Sequence, residues 1–326
     1  MAQDTWNGPY GDSERVAFGA PKRYAPGPMS FTRLASFFFP VSALLVVASF
    51  VAFIWPGPVL SIEFTGGTLL EVRLPEGVTQ EQLETSLGEI RFNEVALTDV
   101  SVTTSGESHF VRTQTLTTEQ HGQLLAELTK DLGAVQELQY TTIGPTVGAS
   151  LKIRAFYALI AALVAIVLYV AAAFRKIPAH LSPWSFGIAA IIALLHDVAI
   201  VLGIFTLLSH YTTFQMDTLF VSALLSIMGY SVSDTIVIFD RIRDNLFAEG
   251  KRGDFTEIAE RSLRQSLTRT LNTGLGALIM LFALFFFGSE SIRWFILALI
   301  VGTLVGTYSS FFIATPLLAL WRKSRG

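Results

Sequence analysis

The sequence predicts an α-helical polytopic membrane protein with six transmembrane helices and one small α/β domain of ferredoxin type outside the membrane. Three observations predict it. Hydrophobic residues make up 51% of the 326-residue chain and mean hydropathy is +0.52, so much of its surface cannot face water. Charged residues reach only 15%, against about 25% in ordinary soluble domains. The apolar residues gather into six long stretches, whereas the segment 56–154 keeps a soluble pattern. A soluble single-domain enzyme is thereby excluded. The net charge of -3 makes no case for a nucleic-acid partner. With no cysteine, disulfides, thiolate catalysis and zinc–thiolate sites are excluded, and no cofactor or metal site is expected.

A spanning helix needs about 20 apolar residues to cross roughly 30 Å of hydrocarbon. Residues 1–33, rich in Gly, Pro and polar groups, predict a loose tail. The first span, 34–55, is long and lacks a small-residue cleavage site after it, which predicts a retained anchor. The second, 155–174, is bounded by Arg154 and Arg175. The third, 184–208, is broken only by His196 and Asp197, and the fourth, 218–239, only by Asp234. Spans at 270–288 and 294–321 complete the set, and 322–326 is a short tail. Trp55, Trp184, Trp294 and Trp321 stand at span ends, where an interfacial belt places them. On one side of the lipid bilayer fall 16 of the 23 basic residues, which predicts that both termini are cytoplasmic in a multi-pass protein of the cytoplasmic membrane.

Within 56–154, Val59–Phe64 and Thr68–Leu74 are strand-like and separated by Gly66 and Gly67. Thr79 to Gln82 forms a capping box for a helix reaching about Ile90, and Thr117 to Gln120 forms a second for a helix ending near Gly133. Val95–Thr103 and His109–Thr115 predict two further strands, and Val135–Ile143 a closing one. The order is that of a split βαβ sandwich with an extra leading strand. Nothing here pairs a nucleophile with a base, and His109 and His121 are most simply solvated.

Ionisable residues inside spans carry the chemistry. A charge near the bilayer centre costs about 2.5–3.5 kcal/mol, so it has a partner or a function. Helical spacing puts Ser226, Tyr230, Ser231 and Asp234 on one side of the fourth span. Asp197 sits mid-span beside His196, which reads as a packing or hydrogen-bonding histidine, the alternative being a ligand. Arg269 opens the fifth span in line with Asn272, Thr273 and Gly276; it either pairs with a carboxylate on a neighbouring helix or snorkels at the cytoplasmic edge. A structural ion pair is the alternative to a working acid at Asp234. Asp240, Arg241, Arg243 and Asp244 fall at the membrane surface, and the loop 240–269 predicts amphipathic helices on the cytoplasmic face. Gly302, Gly306 and Ser310 recur at every fourth position, and with Gly203 and Gly229 mark close helix contacts. No P-loop motif occurs, so the chain carries no ATPase of its own and an ion gradient is the available energy source.

Several motifs resemble those of the SecF family. The first is Ile62-Glu63-Phe64-Thr65-Gly66-Gly67-Thr68 after the first span; Gly144-Pro145-Thr146-Val147-Gly148 precedes the second, and Leu195-His196-Asp197 lies in the third. The most specific runs from Gly229 through Asp234, Asp240 and Arg241 to Arg243, and Ser266 to Thr273, with Arg269 and Asn272, completes the pattern. The resemblance covers about 35–321. It implies a six-span fold of resistance-nodulation-division type, pseudo-symmetric with six spans supplied by SecD. It also implies a proton-driven role, beside the SecYEG translocon, in late steps of protein export. By position, Asp234 corresponds to the family's proton-linked acid and Arg269 to its arginine partner, with Asp197 a further proton-coupling candidate. The chain departs from the family in having Ser61 and Glu63 where Gly and Asp are usual, and Ser233 where Asn is usual.

The mechanism expected on this basis has Asp234 taking protons at the interface with SecD while Arg269 pairs with it and releases it. Helix repacking then reaches the outer domain through a hinge at Gly144–Gly148, and the two partners hold an emerging, unfolded polypeptide. A proton-driven small-molecule exporter and a passive assembly subunit are the alternatives.

Overall fold

The computed structural model describes residues 31–175, 183–249 and 254–323. The predicted tail thus lies outside the described residues up to position 30, as do 176–182, 250–253 and the last three positions. Six helical stretches among the described residues are long and apolar enough to cross a membrane. The first is α1 (Phe31–Ile54), followed by α5 (Pro145–Ala173), α6 (Pro183–Tyr211), α7 (Thr218–Glu249) and α8 (Phe255–Phe287). The sixth joins α9 (Arg293–Ser309) and α10 (Thr315–Lys323) through a π-helical turn at Ser310–Ala314. The helices α6, α7 and α9 form the centre, and α1, α5 and α8 flank it with most of their surface exposed.

Small residues set that centre. A Cβ on Gly302 would fall 2.2 Å from Ile227 Cγ1, and one on Gly306 3.1 Å from Ser231 Cβ. Ser310 Oγ meets Thr235 Oγ1 at 2.8 Å. Thus the i, i+4 stripe of α9 receives the i, i+4 row Ile227, Ser231 and Thr235 of α7, backbone close to backbone. Gly203 likewise admits Ser49 of α1, while nothing lies within 4 Å of a Cβ on Gly229.

The segment 240–269 differs from expectation. In place of separate surface helices, α7 runs on to Glu249 and α8 begins at Phe255 and continues into its span. Ile242, Leu246, Phe255, Ile258 and Leu263 continue the apolar stripe and are buried in one cluster with Phe174, Phe186 and Phe239, so this hairpin caps the bundle. Arg241 Nε donates to Gln265 Oε1 at 2.7 Å, Asn245 Nδ2 to Ser262 Oγ at 2.7 Å, and Arg261 pairs with Glu249, tying the two extensions together. Asp240 pairs with Arg243 at 2.5 Å within α7.

Outside the membrane, α2 (Ile62–Thr65), β1 (Gly67–Arg73), α3 (Gln80–Glu89), β2 (Arg91–Phe92), β3 (Val95–Ala96), β4 (Ser101–Ser105), β5 (Ser108–Thr113), α4 (Thr118–Leu132) and β6 (Gln136–Ile143) succeed one another along the chain. The four-stranded antiparallel sheet has the order β4-β5-β1-β6, the split βαβ arrangement expected. Both capping boxes form, Thr79 with Gln82 and Thr117 with Gln120. Leu70, Val72, Val111, Leu83, Leu87, Leu124 and Leu128 make the core between sheet and helices.

Three local expectations are corrected. The leading strand is absent: Leu60 makes a single bridge to Met216, and the chain then turns into α2, capped by Ser61 Oγ on Glu63 N–H and closed by Gly66 at φ +77°. The segment Val95–Thr103 is split, because Asp99 takes a positive φ of +57° and turns the chain between β3 and β4. His121 is not solvated; its ring stacks on Tyr140 at 3.8 Å and lies 3.2 Å from the Glu137 carboxylate.

Candidate functional site

Two carboxylates stand inside the bundle, on opposite sides of α9. Asp197 of α6 is wholly buried. Its Oδ1 is 2.8 Å from His196 Nδ1, and its Oδ2 accepts from Ser231 Oγ of α7 at 2.5 Å and Ser309 Oγ of α9 at 2.7 Å. Three donors from three helices satisfy a charge that burial would otherwise make very costly. Gly306 makes room: a Cβ there would stand 3.7 Å from Oδ2. His196 is a hydrogen-bonding histidine, and its Nε2 has no hydrogen-bond partner among the described residues. Its ring lies beside Tyr308, whose hydroxyl meets Ser42 of α1 at 2.6 Å.

Asp234 of α7 is held loosely. It is 6% exposed, and Thr307 Oγ1 of α9 donates to its Oδ2 at 3.4 Å, with the Tyr230 hydroxyl beside it. Tyr230 in turn meets Thr307 at 3.3 Å. Arg269 is exposed on α8 and makes no ion pair among the described residues, so in this arrangement it is not brought to Asp234. Asn272, Thr273 and Gly276 are exposed along the same helix, and Ser222, Ser226, Gly229 and Ser233 form an exposed row on α7. Small and polar residues exposed at membrane depth are unsuited to acyl chains, and they border Asp234.

At the outer end of α7 the structure gathers residues from three places. Glu63 Oε2 accepts the backbone N–H of Thr218 at 2.8 Å and its hydroxyl at 2.5 Å. Asp217 Oδ1 accepts the Phe220 N–H at 2.7 Å; burial, and the charge of Glu63 nearby, push its carboxyl above the usual value. Arg112 of β5 donates to Leu60 O at 2.9 Å and Thr65 Oγ1 at 2.5 Å. Phe64 is buried. The glycines serve close approach. A Cβ on Gly66 would lie 2.8 Å from Pro145 Cα, one on Gly67 2.8 Å from Thr113 O, and one on Gly148 2.7 Å from Gly66 N. Gly144 caps α5 with Pro145 at its first turn, so the segment expected to be a hinge is packed against α2.

Thr307, Ser309 and Arg112 escape sequence reasoning. Thr307 directly follows Gly306 and Ser309 directly precedes Ser310, and that small-residue stripe is the signal which points to them.

Comparison with known proteins agrees with these features. Residues 124–324 match the family described as protein export membrane protein SecD/SecF, C-terminal. The SecF protein translocase subunit of Thermobaculum terrenum is 37% identical over 294 residues, covering 88% of this chain and 92% of that protein. That of Haemophilus influenzae is 35% identical, covering 89% and 85%. The crystal structure of SecDF, a translocon-associated membrane protein from Thermus thermophilus, superposes with a TM-score of 0.79 at 34% identity, covering 90% of this chain. A SecDF crystal structure in a super-membrane-facing form gives 0.65 at 32% identity and 94% coverage. The chain spans 39% and 40% of those two SecDF chains.

Proposed function

The chain belongs to the SecD/SecF family of protein-export membrane proteins, and we propose that it couples proton movement to Sec-dependent export together with a SecD-type partner. The fused SecDF relatives support the partnership, since in them a matching region is continuous with a longer chain. The exposed polar row of α7 and the exposed Arg269, Asn272 and Gly276 of α8 are the surface on which the partner's helices pack. Both termini lie in the cytoplasm, the assembly sits in the cytoplasmic membrane beside SecYEG, and the outer domain faces the emerging unfolded polypeptide.

The observation that carries the proton role is the contrast between the two acids. Asp197 is held by three donors and pins α6, α7 and α9 together, the fixed member of the coupling. Asp234 has one long bond from the Thr307 hydroxyl with the Tyr230 hydroxyl beside it, no ion pair among the described residues, and an exposed polar border. It is the carboxylate free to change its charge. When ionised it attracts Arg269; when protonated it releases that guanidinium, and α7 and α8 repack against the partner. One proton crossing 100 mV supplies about 2.3 kcal/mol, while a hydrogen bond contributes about 1 kcal/mol net. A single proton therefore suffices to reset the one or two contacts around Asp234.

The test is proton uptake and gradient-dependent export in vesicles holding the SecD-type partner, with wild-type chain or Asp234→Asn. The variant should assemble but lose both; normal uptake and export in it would remove the proton role.

A further inference from the structure

Proton-coupled export needs a connection from α7 to the outer domain, and the covalent route is a poor one. The domain leaves through α5, a 29-residue helix in which only Gly148 and Val170 are buried. Its contacts with the bundle run through half-buried side chains such as Leu159, Leu163 and Ile166, which couple it to the bundle less tightly than close-packed backbone would. The other covalent route, through Trp55 to Pro58, leads to α1, which is also mostly exposed. Neither carries Asp234.

A non-covalent joint meets α7 directly. The segment 59–61 pairs with Met216, whose N–H donates to Val59 O at 2.9 Å and whose carbonyl accepts from Ser61 N–H at 2.9 Å. Val59 N–H also reaches Ser209 Oγ of α6 at 3.2 Å. Two residues on, Glu63 bonds both the N–H and the hydroxyl of Thr218, the first residue of α7. That N–H is one of the four that a helix leaves unsatisfied at its positive end, so a carboxylate there makes a charge-assisted bond. Asp217 already bonds the Phe220 N–H from within the same segment, whereas Glu63 comes from the outer block.

On its far side, α2 is fused to the outer domain. Gly66, Gly67 and Gly148 bring its backbone against Pro145, Thr113 and itself with no room for a Cβ. The Arg112 guanidinium grips Leu60 O and Thr65 Oγ1 from β5. Displacement of α2 must therefore displace β5 and the start of α5 as one body, because close-packed backbones have no slack to absorb it.

We infer that Glu63 is the positioning residue through which α7 moves the outer domain, with Arg112 fixing α2 to the sheet behind it. The inference rests on the proton-coupled reading of Asp234. Thr218 and Asp234 lie on one helix about 24 Å apart at 1.5 Å per residue. Any tilt or slide of α7 provoked at Asp234 arrives at Thr218 and is handed to Glu63.

The chain has no cysteine, so a pair of spin labels at Glu107→Cys in the outer domain and Tyr211→Cys at the outer end of α6 reports their separation alone. Both positions are exposed. In vesicles holding the partner, the wild-type separation should change when a proton gradient is imposed. Glu63→Ala should keep proton uptake within about twofold, lose the change in separation, and lower gradient-dependent export about tenfold, the equivalent of one charge-assisted bond. Glu63→Gln, whose amide oxygen still accepts from Thr218, should recover part of both losses. Glu63→Ala with an intact change and intact export would overturn the joint, as would loss of proton uptake, which would place Glu63 in the proton site or the fold. Asp234→Asn that keeps uptake overturns the proton reading instead, a result separable from every Glu63 outcome.

Discussion

Thr307 and Ser309, two residues apart on α9, donate to different carboxylates: Thr307 to Asp234 at 3.4 Å and Ser309 to Asp197 at 2.7 Å. One helix thus stands between the loosely held acid and the tightly held one. Ser309→Ala removes one of three donors from a carboxylate with no access to water, and should destabilise the chain by about 1–3 kcal/mol. Thr307→Val removes a long bond from a less enclosed group and should cost under about 1 kcal/mol. Thermal unfolding of the two variants in lipid nanodiscs checks the order. Equal losses would mean that the two acids are held alike.

Replacing Asp197 itself separates charge from shape. Asp197→Ala leaves Ser231, Ser309 and His196 without their common acceptor and should cost about 3–5 kcal/mol, the penalty for breaking a buried polar pair. Asp197→Asn retains one carbonyl oxygen that still accepts from both serines, and should recover at least half of that loss. Yield of folded, monodisperse protein and its unfolding temperature provide the comparison.

Glycines on different faces should behave oppositely. Gly302→Ala drives a Cβ into Ile227 and should cost about 1–3 kcal/mol in the isolated chain, as overpacking does. Gly229 and Gly276 have open space where a Cβ would go. Gly229→Leu or Gly276→Leu should leave unfolding within about 0.5 kcal/mol of wild type, yet block association if that face meets the partner. Co-purification with the SecD-type subunit reads this out, and full recovery of the complex with both variants would move the interface elsewhere.

Features that depend on neighbours in sequence were legible before the structure. Both capping boxes are local hydrogen-bond patterns and form at the expected residues, and a span is a long apolar window with few charges, so six such helices are present as the sequence predicts. The Gly302, Gly306 and Ser310 stripe signalled close packing because small residues at helical spacing have few other uses. What depends on distant partners was not legible. Val59–Phe64 has strand-like composition, but the bonds of Ser61 to Met216 and Glu63 to Thr218 bend it into a turn of helix. The hairpin of α7 and α8 looked like surface helices because nothing in its own sequence shows that Leu246 and Ile258 share a core with Phe174 and Phe186. Asp234 and Asp197 were visible as charges within apolar runs, but their donors Thr307 and Ser309 lie more than 70 positions further along the chain. Whether Arg269 meets Asp234 turns on which side of α8 faces α7, and a single helix's periodicity does not encode that.

The outer end of α7 should carry a pH signature of its own. Burial first, and the Glu63 charge after it, raise the Asp217 carboxyl above its ordinary value in the folded chain, although the Phe220 N–H opposes them. A carboxyl that holds its proton more tightly when folded stabilises the fold fully below its unfolded value near about 4, and that contribution is lost as pH rises through the higher folded value. Asn caps helices about as well as Asp and does not titrate. Wild type should therefore lose stability relative to Asp217→Asn as pH is raised from about 4 toward neutrality. In Glu63→Gln that loss should be smaller, because one of the two causes of the raised value is gone. Unfolding temperatures of the three proteins across this range are the measurement. A wild-type curve parallel to that of Asp217→Asn would show that Asp217 ionises as freely in the folded chain as in the unfolded one.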